Sequence, residues 1–172
     1  MPTSTTPSGG SHFAGALAAR AAIEMALPMI EVAINDPAVC GGGFLWIVVM
    51  DPARSTLDSR FEEALVAEHG IGDEARWGAD YRAFARAKAR AAWRCMAGGD
   101  RLQADLVHQL QAGDSLLRGA VVLDGIVVAV SGAEPWFDEA FANCVAGNLR
   151  AIAQQAHAAE RAAGGLAAGV PR

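Results

Sequence analysis

Apolar positions alternate with polar ones at distinct periods along the chain, and those periods predict its elements. From Phe13 onward, Phe13, Leu17, Ile23, Leu27, Ile30 and Ile34 mark one face of an alanine-rich helix, with a kink or restart expected at Pro28. The run FLWIVVMD, residues 44–51, is continuously apolar and rich in β-branched and aromatic side chains, which predicts a central strand ending at Asp51-Pro52. Next, Ser55 and Asp58 resemble a capping box, and Leu57, Phe61 and Leu65 recur at four, predicting a helix that Gly70 stops. A loop over 70–78, a helix over 79–96 and a short helix between glycine breaks follow. In GAVVLDGIVVAVSG, two apolar runs flank Asp124-Gly125, the pair favoured in a two-residue type I′ hairpin turn. Pro135 suits the first position of a long final helix.

The predicted order is helix, strand, two or three helices, hairpin, helix, with further strand sought near 52–60 or 113–118. That is an α/β (α+β) domain with a small, mostly antiparallel sheet packed with helices. At 172 residues the chain suits one domain. It divides into a flexible N-terminal tail over 1–11, a single domain over 12–164, and a frayed tail over 165–172.

Composition narrows the functions open to it. Apolar residues make up 52% and charged residues 19%, a globular balance. A net charge of −5, with no basic patch interleaved with aromatics, argues against nucleic acid as a partner. The first fifteen residues lack a basic stretch followed by an apolar one, and no run is apolar enough to span a bilayer. A cytoplasmic protein with no membrane partner is expected. Cys40, Cys95 and Cys144 are far apart, without a CxxC, and are read as reduced, buried thiols; no metal site is expected.

One composition detail points to chemistry. Thirteen arginines accompany a single lysine, Lys88, within YRAFARAKARAAWRC. At about 100° per residue, Lys88 falls amid Tyr81, Phe84, Ala85, Ala91, Ala92 and Cys95, whereas Arg82, Arg86, Arg90 and Arg94 form a row on the opposite face. The lysine therefore points where the core should be. Burial would lower its pKa unless a carboxylate compensates, which suits an acid/base, an amine nucleophile or an anion holder. It also suits a structural lysine paired with an aspartate, or one reaching an edge. Asp51, Asp138 and Glu139 are the candidate partners, in that order. Tyr81, the only tyrosine, shares the lysine's face seven residues away.

Ser131 and Gly132 precede the last helix, whose N-terminus favours an anion. Asp138 and Glu139 are either ligand contacts or first-turn acids that complement the helix dipole. Trp136 could cover a flat ligand, and Arg118 and His108 complete the ligand-binding candidates. The histidines show no metal-ligand spacing, and no Walker A, GxGxxG or CxxCH is present.

Taken together, ARAKARAA (85–92), VVLDGIVVAVSG (121–132) and Asp138-Glu139 resemble the GlcG/HbpS-like family, which includes haem-binding proteins and the C-terminal domain of PduO-type cobalamin adenosyltransferases. WIVVMD resembles that family's first strand. The resemblance covers roughly 80–96 and 115–150, and more loosely 13–51. It implies a profilin-like sandwich, a homo-oligomer, and a small ligand held between helix 79–96 and the sheet, with haem or a related tetrapyrrole as the family's ligand. The chain departs from the pattern at about 54–79, read as a helical insertion, and at LLRGAVV before the hairpin. The alternative is a cofactor-independent isomerase, lyase or cyclase acting on a small anionic metabolite, with Lys88, Tyr81 and Asp51 as catalytic candidates.

Overall fold

The computed structural model describes residues 9–169. Four strands form one sheet: β1 (Leu45–Met50), β2 (Leu65–Ile71), β3 (Ala120–Leu123) and β4 (Ile126–Ser131), in the order β2-β1-β4-β3 with every pair antiparallel. The helices are α1 (Ala16–Ala33), the single turn α2 (Phe61–Ala64), α3 (Tyr81–Cys95), α4 (Gly99–Ala104) and α5 (Pro135–Ala162). This is the expected α/β class with a small antiparallel sheet.

Strand alternation divides the core in two. Leu45, Ile47, Val49, Val128 and Val130 face α1 and α5, whose contribution includes Ile23, Ile30, Phe141, Val145 and Leu149. Val48, Met50, Val127 and Ala129 face α3, which answers with Ala85, Ala89 and Ala92. Alanine along that face brings the α3 backbone close to the sheet, and this closeness sets the geometry of the site. The β3–β4 hairpin turns at Asp124 (φ 50°) and Gly125 (φ 88°), the double positive φ of a type I′ turn, and Arg150 on α5 binds Asp124 at 2.7 Å.

Several expectations need correction. The segment expected as a helical insertion over 54–79 is helical only at 61–64, and 65–71 pairs with β1 from Leu45↔Ile71 to Met50↔Leu65. Ser55 and Asp58 do bond, at 3.0 and 3.1 Å, but they close a turn. A central strand needs partners on both edges, and that demand overrides the four-residue recurrence of Leu57, Phe61 and Leu65. Gly70 is not a helix stop: it lies opposite Trp46, whose ring occupies the space a side chain there would need. The strand sought near 52–60 or 113–118 is at 65–71 instead.

Helix α1 runs unbroken through Pro28, and its inward row is Ala19, Ala22, Ile23, Ala26 and Ile30, while Leu17 is exposed. Of the three free cysteines, Cys40 is buried, Cys95 is half-buried and Cys144 is exposed. The expected tails lie outside the described residues for 1–8 and 170–172. Within them, the Ser11 N–H donates to Asp51 at 3.0 Å and the Gly169 N–H to Glu160 at 3.1 Å.

Candidate functional site

Lys88 is buried in the alanine face of α3, with a side chain only 1% exposed. Its Nζ donates to the Val130 carbonyl at 2.9 Å and to Asp138 Oδ2 at 2.8 Å. Asp138, 2% exposed, sits in the first turn of α5 and accepts the Ala133 N–H at 2.9 Å on its other oxygen. The pair joins α3, on one face of the sheet, to α5, on the other. Burial pushes the Asp138 carboxyl up to about 6, against the opposing pull of the Lys88 charge and hydrogen bond. The same burial lowers the Lys88 amine, with Asp138 holding it up. Both groups are drawn toward their neutral forms.

The third wall is Gly119. Its φ of +126° suits glycine, and a Cβ there would stand 2.8 Å from Lys88 Nζ, from the Asp138 Cβ and from the Val130 carbonyl oxygen. The chain leading to it, residues 110–119, is fastened at intervals. Arg94 binds Asp114 at 2.6 Å, Gln103 donates to the Ser115 carbonyl at 3.0 Å, and Arg118 forks onto Glu139 at 2.7 and 3.1 Å. Although burial opposes it, the Arg94 bond and the Gln111 N–H hold Asp114 below the usual carboxylate range. A hollow of about 300 Å³ separates this segment from α3, lined by Asp80, Ala83, Phe84 and Ala87 on the helix side and Gly113, Asp114 and Ser115 on the other. Leu116 and Leu117 are exposed on the same segment.

The remaining sequence-derived candidates scatter. Asp51 is buried but belongs to another corner, bound by the N–H groups of Ser11 and Ala53, with Arg54 at 3.9 Å. Lys88 reaches Val130, which pairs with Ile47, so Asp51, just past the end of β1, lies four residues further on, about 13 Å away. The order of candidate partners is therefore corrected: Asp138 holds the lysine, and neither Asp51 nor Glu139 does. Tyr81 is two helical turns before Lys88 and stacks edge-on against Trp77 at 5.6 Å.

Ser131 is buried at the end of β4, where it pairs with Trp46. Gly132 (φ +140°) is required because a Cβ would collide with the Phe44 carbonyl oxygen and Leu45. The loop before α5 does present N–H groups to an anion, and that anion is Asp138 of the chain itself. Trp136 and His108 are exposed, and Glu139 is engaged by Arg118.

Sequence reasoning missed Gly119 and the Arg94–Asp114 bond. The replacement of the family's usual residues by LLRGAVV was the available signal for the first.

No family model matches the sequence, and no curated protein does. Among solved structures, the chain is similar to Klebsiella pneumoniae protein ORFY, described as family-model DUF336, at 17% identity over 88% of this chain and 97% of that one, with a TM-score of 0.49. It is also similar to a double mutant of Streptomyces reticuli HbpS at 22% identity, over 86% of this chain and 92% of that one, also with a TM-score of 0.49. The fold class is established independently by the chain's own four antiparallel strands and the helices on both faces.

Proposed function

We propose that the chain is a single small-ligand-binding domain, spanning 12–164, that takes an acidic small molecule at Lys88 beneath segment 110–119. The buried Lys88–Asp138 pair carries this reading. An ammonium has three donors, and Val130 and Asp138 accept two of them here. A carboxylate entering beside Gly119 would meet an amine in low-dielectric surroundings, where a charge-assisted hydrogen bond is strong. Gly119 packs so closely on the amine that a Cβ there would stand 2.8 Å from Nζ, so a ligand reaches the amine only as segment 110–119 moves aside.

Haem, the ligand the resemblance implies, gains no support from the hollow beside α3, which Lys88 and Gly119 do not line. The hollow beside α3 offers no histidine, cysteine, methionine or tyrosine as an axial ligand, and His108 stands exposed on a separate turn. Self-association and a cytoplasmic location belong to the same reading, the latter supported by three free cysteines.

The test is ligand-observed NMR with acetate, succinate and inorganic phosphate on the wild type and on the double variant Lys88→Met/Asp138→Asn. Saturable binding confined to the wild type is expected. Equal signals from both proteins, or none from either, would sink the proposal. A haemin titration run alongside should give no Soret band dependent on Lys88.

A second reading, an isomerase, lyase or cyclase, draws on the Asp138 carboxyl. At about 6 it is poised to exchange a proton near neutrality, with the lysine to hold an anion formed beside it. Lys88-dependent deuterium uptake at the carbon next to the carbonyl of a small keto acid would favour this reading over simple binding.

A further inference from the structure

Helix α1 carries an apolar stripe that its own fold leaves uncovered. At about 100° per residue, Leu17, Ala21, Met25, Pro28 and Val32 fall within an arc of about 80°, with Met29 at its margin. Leu17 is 81% exposed, Met25 60% and Val32 75%. Along one border of the stripe runs a charged row, Arg20, Glu24 and Glu31, and none of the three has an ion-pair partner among the described residues. Contiguous large apolar side chains on a helix face mark an interaction surface, and the charged border indicates what covers it.

We propose that α1 pairs antiparallel with α1 of a second copy of this chain, about a two-fold axis passing near Met25 and Ala26. In such a pair the same border of each helix faces its counterpart, and residues whose numbers share a constant sum lie level. Placing Arg20 level with Glu31 of the second copy forms two symmetric ion pairs from a single register. The same register brings Leu17 within about 3 Å, along the axis, of the level of Val32 of the second copy. It sets Met25 about 1.5 Å, along the axis, from the level of Met25 of that copy, so the two methionines meet near the two-fold. The register leaves Glu24 about 4.5 Å, along the axis, from the level of its own counterpart. Two ion pairs are thus set against one like-charge contact, and that balance together with the uncovered stripe selects a second copy as the occupant. The inference rests on the self-association included in the proposed function and adds its surface.

Sedimentation velocity with three variants tests it. The wild type should sediment at twice the 17.8 kDa chain mass or a higher even multiple. Met25→Asp should halve the assembly. Arg20→Glu should weaken association roughly tenfold by setting like charges level, and Arg20→Glu/Glu31→Arg should restore it. Loss followed by rescue is a result that mere unfolding of α1 cannot produce. A monomeric wild type overturns self-association altogether. An oligomer indifferent to Met25→Asp, or a double swap that fails to restore it, overturns this surface alone.

Discussion

Removing the Lys88 amine by itself leaves the Asp138 carboxylate buried without its countercharge. From the sequence alone, Lys88→Met looks benign or even stabilising, since a lone buried charge is costly. With Asp138 at 2.8 Å the expectation reverses. Lys88→Met should lose about 3–5 kcal/mol above pH 6, the cost of breaking a buried pair. The double variant Lys88→Met/Asp138→Asn should stay within about 1 kcal/mol of the wild type, because asparagine still accepts the Ala133 N–H. Urea denaturation of the three proteins at pH 7 separates these outcomes, and a single variant as stable as the double would refute the pairing energetics. Lys88 was legible because it broke the arginine pattern and fell on the alanine face. Its partner was not legible, since three acids were compatible with the sequence and only the sheet register excludes Asp51.

Among elements, the β3–β4 hairpin was readable because Asp-Gly has a local reason to turn, independent of anything distant. Gly125→Val meets no neighbour within 4 Å, so its cost is backbone strain alone at φ 88°. A loss of about 1–3 kcal/mol is expected in thermal or urea unfolding, and an unchanged midpoint would show that the turn tolerates a branched residue. Strand β2 was hidden for the opposite reason. Its pairing with β1 is a long-range demand, and its sequence, LVAEHGI, places Glu68 where it binds Arg86 and the Trp46 indole, polar contacts that local periodicity does not register. Segment 110–119 was equally silent, because its fastenings come from α3, α4 and α5.

For the whole molecule, the pair at the site shapes stability against pH. Asp138 keeps its proton up to about pH 6 when folded but releases it near 3.8 when unfolded. Between those values the folded state binds more protons than the unfolded chain, so stability falls as pH rises through this window. The whole contribution is about 3 kcal/mol. Subtracting the unfolding free energy of Lys88→Met/Asp138→Asn from that of the wild type at pH 4, 5, 6 and 7 should isolate a difference that declines and then levels above pH 6. A flat or rising difference would mean that Asp138 ionises normally in the fold.

The Lys88–Asp138 bond also acts as a rivet through the thickness of the protein, because its two ends belong to layers on opposite faces of the sheet. Layers joined only by apolar contact can open one at a time, while layers joined by a buried polar link open together. Amide hydrogen exchange under native conditions should therefore report one cooperative unit that includes α3, the Ala133 N–H and the first turn of α5. In Lys88→Met/Asp138→Asn the same amides should separate into two units, α3 opening at lower free energy than the start of α5. If they separate already in the wild type, the rivet transmits nothing, and a ligand at Lys88 would be felt by α3 alone.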